Sequence, residues 1–504
     1  MGRIAVIGAG MGAMAAAARL AVAGHRVTVF ERSATFGGAV GGFERDGFAF
    51  DTGPGLLHLP AVYRDLFVKT GKEPLEGRVE LAQVDPASRH VFADGTTVSL
   101  PNASRGGVVS ALDAALGAGA GGRWGEFLGR AGDAWDRSRR PLLEEPLRPD
   151  WQVLGRDPYP ALRQRRMLRT RQARTLAEVG AWELADPRLG ALLDACALSY
   201  GLDPRHTPAS AALLPYMEQT FGSWYVRGGM RALARALYER CLERRVEFVF
   251  NAEVTGVVEK DGRAAGLQLS EGPSRAGGPG GSRAVDADHV VAGAGASGLG
   301  GLLPWQEGDV RPEAAEGAPG RFTVLLALRG ARPKGTVHRT VVHSPDPAAE
   351  AAAVFGGTLA ERPTVTVLRP DDPTARPDDS HEAVTLTATV APGGGPSGID
   401  WADESLRERH AETVIAAARP VVPDIRERLL WREVLTPDET GRVRPPALAG
   451  DGGRCLRPSN STRLPGLYLA GGWAHPGGGL AHAGMSGALV AGLIVEGEGF
   501  RGSQ

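Results

Sequence analysis

The sequence predicts an α/β chain in which a Rossmann-type dinucleotide-binding domain is interleaved with an α+β domain of mainly antiparallel sheet and helices. Three observations predict it. A strand, glycine turn, helix and second strand open the chain over Arg3–Glu31; glycine motifs return at Gly293 and at Gly471–Gly479; and the stretches between them lose the βαβ alternation. The motifs divide the chain into a nucleotide domain of residues 1–75, 225–300 and 450–504 and a second domain of residues 76–224 and 301–449.

Arg3–Ile7 is a short apolar strand that runs into Gly8-Ala9-Gly10-Met11-Gly12-Ala13, a G-x-G-x-x-A turn, and then into an alanine-rich helix over Ala13–Ala23. Gly24-His25 ends that helix, and Arg26–Phe30 forms a second strand ending at Glu31. Gly8 permits the tight turn, Gly10 lets backbone N–H groups reach a pyrophosphate, and Ala13 and Ala17 bring the helix close to the sheet. The helix N-terminus offers phosphates about half a positive charge. Glu31, 21 residues beyond Gly10, is placed to accept hydrogen bonds from ribose hydroxyls. Four glycines and Arg19 within Ile4–Gly24, with a strand directly after, argue against a signal peptide or membrane anchor.

At 504 residues the chain has room for two or three domains with large cores. Its 57 Lys and Arg balance 58 Asp and Glu, so nothing in the charge points to nucleic acid. Cys196, Cys241 and Cys455 stand far apart, which rules out a local redox disulfide and gives no metal-ligand cluster. Isolated thiols fit a reducing cytoplasm.

Beyond Glu31 come Thr35-Phe36-Gly37-Gly38 and Phe48-Ala49-Phe50-Asp51-Thr52-Gly53-Pro54. Glycine pairs this soon after the ribose acid suit a flavin dinucleotide, whose pyrophosphate and ribityl chain the loop must approach; two ordinary turns are the plain alternative. Asp94-Gly95 joins Ser88–Ala93 to Thr96–Leu100 in a hairpin. Residues 106–222 read as mostly helical. Within them Leu162–Arg174 holds six arginines and no acid; it reads either as a basic face for anionic lipid or, since its apolar residues form no clean stripe, as a solvated helix. Arg227-Gly228-Gly229-Met230 opens a helix through Leu242, and strands follow at Glu247–Phe250, Glu253–Val258, Ala264–Leu269 and Asp288–Ala292. Gly272–Ser282 reads as a flexible hairpin tip. Gly293-Ala294-Gly295-Ala296-Ser297-Gly298 imitates the first fingerprint but lacks the helix, strand and acid of a nicotinamide site, so it reads as a strand returning to the nucleotide domain. Thr323–Leu328, Val337–His343, Thr364–Leu368 and Ala383–Val390 build the antiparallel sheet, with Pro370–Ser380 as a polar surface loop. A last strand, Gly466–Leu469, leads into glycine turns and a helix from about Met485.

Gly8–Ala13, Glu31, Gly37-Gly38, Phe50–Pro54, Trp224–Met230 and Gly471–Gly479, in this order, resemble the phytoene desaturase family of FAD-dependent carotenoid oxidoreductases. Ala470–Gly487 is similar to the branch containing hydroxycarotenoid 3,4-desaturases, and Asp186–Leu189 through Tyr216–Glu218 is similar as well. The resemblance runs nearly full length. It implies FAD bound by Gly8, Gly10, Gly12, Ala13, Glu31, Arg32, Gly37, Gly38, Gly53, Pro54, Val254, Gly471, Gly472, Gly478 and Met485, and no metal. Three positions depart from the family. Ala39 stands where Lys or Arg usually follows the glycine pair, so a phosphate cation is missing or supplied elsewhere, as by Arg32. Gly293-Ala294-Gly295 replaces Asn-Ala-Asp, and Gly471-Gly472 replaces the Gly-Asp of amine oxidase relatives.

The expected activity is desaturation of a hydrophobic polyene, a carotenoid or its precursor, with hydride passing to flavin N5. His475 is the best placed polar residue, with a catalytic role and a structural tie to backbone as equal readings; Tyr216 and Glu218 read as core or hinge. A polyene substrate implies a cytoplasmic enzyme resting peripherally on a membrane, with oxygen or a quinone as electron acceptor. A saturase, an oxidase of another isoprenoid or natural-product intermediate, and a non-catalytic flavin-binding partner remain alternatives.

Overall fold

The computed structural model describes residues 1–148, 150–163, 170–270, 282–293, 318–394 and 398–502. Five parallel strands form one sheet in the order Glu247–Phe250, Arg26–Glu31, Arg3–Ile7, His289–Ala292 and Leu467–Leu469. Its central strands are apolar runs because both faces are covered: Val6, Val29, Val290 and Val291 are fully buried. The helices Met11–Val22, Met230–Glu243 and Leu480–Glu496 are close to one face. The other face meets the antiparallel strands Val254–Lys260, Arg263–Ser270 and Ser282–Asp286 through Ala5, Ile7, Phe30 and Leu267.

A seven-stranded, mainly antiparallel sheet stands apart from the first, in the order Leu429–Leu435, Gly320–Arg329, His381–Val390, Val365–Leu368, Arg339–Val342, Ser88–Val91 and Thr97–Leu100. Alternation along its strands separates two faces. Phe322, Val324, Leu326, Leu386 and Val367 bury against Ala411, Val414 and Ile415 of the helix Glu404–Ala418. Thr366, Leu368, Thr385, Thr387 and Thr389 fall on the opposite face and keep partial exposure. Helices between 105 and 221 form a third body around Trp124, Phe127, Leu193 and Leu214.

Three expectations are corrected. The last helix begins at Leu480, five residues before Met485, because Gly484 and Gly487 serve close packing and not capping. A Cβ on Gly487 would stand 2.4 Å from the Gly12 carbonyl oxygen, and one on Gly484 would meet Val62 and Tyr63. The two ends of Leu162–Arg174 are strands where a helix was expected: Leu162–Arg163 pairs antiparallel with Thr170–Arg171, while residues 164–169 lie outside the described residues. Pro370–Ser380 is not wholly a surface loop, since Asp372 is 1% exposed and ties it to the turn at Gly228. The tip at 272–281 and Ala294–Gly298 lie outside the described residues.

Candidate functional site

The first strand and helix are joined by a turn built for close approach. Gly8 takes φ +86° and its N–H donates to the Phe30 carbonyl, which aligns the two strands' ends. Gly10 is the N-cap of Met11–Val22 and has no side chain to cap it, so the first-turn N–H groups stay available. No atom lies within 4 Å of where a Gly10 Cβ would stand. Gly37 forms a parallel bridge with Gly10, its N–H donating to the Ala9 carbonyl at 2.8 Å. Gly38, at φ +59°, lies across from the Gly10 Cα. This is an open backbone cradle at a helix N-terminus, which fits a pyrophosphate.

Glu31 sits beside the cradle with its carboxylate oriented by backbone: Ala9 N–H donates to Oε2 at 2.7 Å and Ser33 N–H to Oε1 at 2.8 Å. Its remaining lone pairs suit ribose hydroxyls. Arg32 is exposed at the strand's end, and Ala39 is exposed too. The cation beside the glycine pair is Arg231. Its guanidinium donates to the Phe36 and Val40 carbonyls, lies 4.1 Å from the Phe36 ring, and would be 2.6 Å from a Cβ on Gly37. Burial lowers the pKa of this guanidinium.

Two motifs far apart in sequence meet behind that turn. Asp51 accepts from the N–H of Met230 at 2.9 Å and of Arg231 at 3.3 Å, so it caps the helix that Gly228-Gly229 opens. Burial pushes its carboxyl up to about 6. Asp372 holds the same turn from the other side, accepting from Gly228 N–H at 2.8 Å and the Tyr225 hydroxyl at 2.9 Å. Gly53 is pressed to the Ala39 carbonyl, which a Cβ would meet at 2.1 Å, and Pro54 follows it half-buried. Val254 is half-buried where its strand meets the parallel sheet.

The C-terminal glycines close on the first turn. Gly12 abuts Gly471, Ala13 lies under Gly293, and Gly472 faces Gly478. Gly478 leaves no room for a side chain, as its Cβ would stand 1.6 Å from the Arg444 carbonyl oxygen. Asn460 and Ser486, both fully buried, hold this turn: the Asn460 amide donates to the carbonyls of Leu469 and His475 and to Ser486 Oγ, which also accepts from Gly471 N–H. His475 is itself fully buried, with Nε2 2.9 Å from the Glu145 carbonyl oxygen. Burial pushes its imidazole down to about 4, so the ring is neutral and tied to backbone, and it shows no atom to an open space. Met485 lies in the second turn of its helix, half-buried against the helical body.

The structure thus gathers Gly8, Gly10, Gly12, Ala13, Glu31, Gly37, Gly38, Gly471, Gly472 and Gly478 around one turn, with Arg32 at its margin. Sequence reasoning missed Arg231, Asp372 and Asn460; Asp51 and Met230 lay inside quoted motifs, but only folding shows that one caps the other. Among the described residues no group of three or more His, Cys, Asp or Glu is arranged to hold a metal ion.

A parallel sheet whose first turn and returning strands converge on an open glycine cradle, beside a large antiparallel sheet, defines a dinucleotide-binding protein of the Rossmann type. The model of the flavin containing amine oxidoreductases matches residues 14–495. A hydroxyneurosporene desaturase from Cereibacter sphaeroides is 30% identical over 502 residues, covering 98% of this chain and 97% of that one. A 4,4'-diapolycopene oxygenase from Methylomonas sp. is 28% identical over 517 residues, covering 98% of each. An oxidoreductase from Methanosarcina mazei shares the fold at TM-score 0.64 and 18% identity, over 97% of this chain and 99% of that one. The chain belongs to the flavin-containing amine oxidoreductase family and, within it, to the carotenoid desaturases. It is an oxidoreductase acting on CH–CH groups with FAD as cofactor.

Proposed function

We propose that the enzyme desaturates a hydrophobic polyene, a carotenoid or carotenoid precursor, delivered from a membrane surface. The open face of the seven-stranded sheet carries this reading. Leu368, Thr385, Thr387 and Ala383 line a cavity of about 390 Å³ whose other wall holds Gly53, Gly55 and Gly228-Gly229. Arg231, which braces the Gly37-Gly38 turn, lines the same cavity, so a substrate lying on that face would rest behind the cradle. The full-length likeness to a hydroxyneurosporene desaturase supports the same substrate class. We assign the flavin contacts to the cradle residues Gly8, Gly10, Gly37, Gly38 and Glu31 and to the C-terminal turn at Gly471, Gly472 and Gly478.

Energetics set the route of such a substrate. At about 0.8 kcal/mol per buried CH₂-sized group, a chain of about forty carbons is disfavoured in water by roughly 30 kcal/mol. No helix among the described residues is long and apolar enough to cross a membrane, so the reading requires docking from one side. The FAD-loaded protein, mixed with liposomes holding an acyclic carotenoid in air, is expected to move the polyene absorption to longer wavelengths as conjugation grows. A shift to shorter wavelengths with added reductant would instead identify a saturase. No change with any acceptor would leave the non-catalytic reading.

A further inference from the structure

Four polar side chains meet at the seam of the three bodies. His58 comes from the short strand Leu57–His58, four residues after Pro54. Glu218 comes from the helix Leu213–Phe221, Tyr200 from the end of Pro187–Ser199, and Arg339 from the seven-stranded sheet. Arg339 Nη1 donates to Glu218 Oε2 at 3.2 Å, and the Tyr200 hydroxyl donates to Oε1 at 3.1 Å. His58 Nε2 stands 3.9 Å from Oε1, too far for a hydrogen bond and near enough for an ion pair once the ring is charged. Side-chain exposures of 22% for His58, 16% for Glu218 and 15% for Arg339 are small but not zero. All three are largely buried, and Leu368, the register partner of Arg339, lines the cavity on the open face of the seven-stranded sheet.

The cluster stands between the cavity-lining sheet and the C-terminal helix. Gly55 touches Leu368, the register partner of Arg339. Val62 and Tyr63, just beyond His58, meet Gly484, and the Tyr63 hydroxyl donates to the Leu480 carbonyl at the start of the C-terminal helix. Tyr200, Tyr216, Cys196 and Met485 are half-buried against one shared core.

The charges are arranged in opposite senses. Burial lowers the His58 pKa, Glu218 raises it, and Arg339 lowers it, with the net below the usual imidazole value. For Glu218 burial opposes the charge, yet the protonated His58 ring, Arg339 and the Tyr200 hydroxyl together outweigh it and hold the carboxyl below its usual range, so carboxylate and imidazolium stabilise one another. Burial pushes Tyr200 and Cys196 up, leaving both neutral, and His482 in the first turn of the adjoining C-terminal helix is held neutral by burial at about 4. With the ring proton on Nδ1, which lies 3.4 Å from Ser223 Oγ, the Nε2 lone pair is free beside a fixed carboxylate.

We infer that His58 is the base that accepts the proton released in the dehydrogenation, and that Glu218, positioned by Arg339 and Tyr200, holds the imidazolium that forms. The inference rests on the desaturase reading. In that reaction one carbon loses hydrogen with its electron pair to the cofactor, which is thereby reduced. The adjacent carbon loses a proton to Nε2, and the electron pair of that C–H bond becomes the second bond of the new C=C. Neutral imidazole becomes imidazolium, paired with Glu218, until solvent takes the proton. A neutral imidazole facing an ionised carboxylate is the pairing a general base requires.

The test compares wild type, His58→Gln and Glu218→Gln as FAD-loaded proteins with liposome-borne carotenoid. His58→Gln is expected to keep its flavin and melting temperature while kcat falls about 100-fold or more, with KM little changed. The wild-type kcat should show an acid limb as His58 takes its proton. Glu218→Gln removes the charge that raises His58 and leaves Arg339 uncompensated, so the limb must move to lower pH. Nitrogen NMR of the histidines, which needs no turnover, should record the same downward move of one imidazole in Glu218→Gln. A His58→Gln rate within threefold of wild type, or an imidazole that does not respond to Glu218→Gln, overturns the assignment. Wild type inactive on every polyene overturns the desaturase reading instead, and this inference with it.

Discussion

Gly12 and Gly471 touch through bare backbone: a Cβ on Gly12 would stand 2.7 Å from the Gly471 Cα and 2.8 Å from the Ala483 carbonyl oxygen. The first helix of the chain and its last glycine turn are therefore one structure, although 459 residues separate them. Gly12→Ala tests this contact. Alanine is preferred over glycine inside a helix by about 1 kcal/mol, which alone would stabilise the variant. Overpacking against rigid backbone costs about 1–3 kcal/mol and wins, because no side chain can swing aside. The variant should melt about one or two degrees lower and carry less FAD; a higher melting temperature would show that the two turns do not meet.

Gly10→Val separates binding from folding. Gly10 has φ −75° and ψ 166°, which valine adopts readily, and its Cβ would meet nothing within 4 Å. The fold should therefore be unaffected, while the valine occupies the space assigned to the pyrophosphate. Purified Gly10→Val is expected to be colourless, with the melting temperature of wild-type apoprotein. Stoichiometric flavin in this variant would move the dinucleotide site elsewhere.

The contrast shows what sequence reading reaches. Gly8–Ala13 with Glu31 is legible because a local strand–turn–helix–strand unit fixes each residue by its neighbours in sequence. The parallel strands were legible as short apolar runs and most of the antiparallel ones as β-rich segments between turns, but the edge strand Leu429–Leu435 escaped. The start of the last helix was not, because Gly484 and Gly487 look like caps in sequence and are contacts with Val62, Tyr63 and the first helix in space. Arg231 and Asp372 escaped for a related reason: an arginine one residue into a helix and an aspartate in a polar loop are ordinary until the chain brings Phe36 and Gly228 to them. His58, Glu218 and Arg339 come from three bodies, and no local pattern joins them.

Arg231→Met tests the cation that stands beside Gly37-Gly38. The guanidinium bonds to the Phe36 and Val40 carbonyls and so braces the turn from behind. Hydrogen bonds from a charged group contribute about 1.5–3 kcal/mol each in buried settings, and Arg231 is only partly buried, so the lower end applies. Flavin affinity should weaken about tenfold, read by fluorescence on releasing FAD from the apoprotein equilibrium. Arg32→Met at the exposed margin should change it far less. Equal losses in the two variants would restore Arg32 as the cation that compensates Ala39.

Glu350 supplies a pH-dependent term in stability. It is 2% exposed on the helix Pro347–Phe355, bonded to Thr364, and burial pushes its carboxyl up to about 7. Between about 4.5 and 7 the unfolded chain has lost this proton while the folded protein keeps it. Folding thus takes up a proton, and stability falls as pH rises through that window, by roughly 3 kcal/mol in all. Glu350→Gln keeps the Thr364 contact without the titration. Urea unfolding at pH 5 and pH 7.5 should show the wild type losing more stability than Glu350→Gln across the interval. Parallel losses would place the titration on another group, such as Asp51, Asp157 or Asp194, each raised by burial to about 6.

Turnover should need no nicotinamide. The N-terminal fingerprint has its strand, helix, second strand and acid, whereas the motif at Gly293–Gly298 is followed in sequence by Leu302-Leu303-Pro304-Trp305 and a stretch rich in Pro, Ala and Glu. Nor is there a thiol pair to relay electrons from a reduced nicotinamide: Cys196, Cys241 and Cys455 are free, and burial raises the pKa of each, which leaves them as inert thiols. On the function proposed above, reducing equivalents from the polyene are expected to pass to oxygen or to a quinone in the same bilayer. Under anaerobic conditions, liposome-borne carotenoid should be converted when a quinone is added and should not be when NAD⁺ or NADP⁺ is added alone. Oxygen in place of quinone should restore conversion. A strict requirement for nicotinamide would mean that a second dinucleotide site exists which the first fingerprint does not supply.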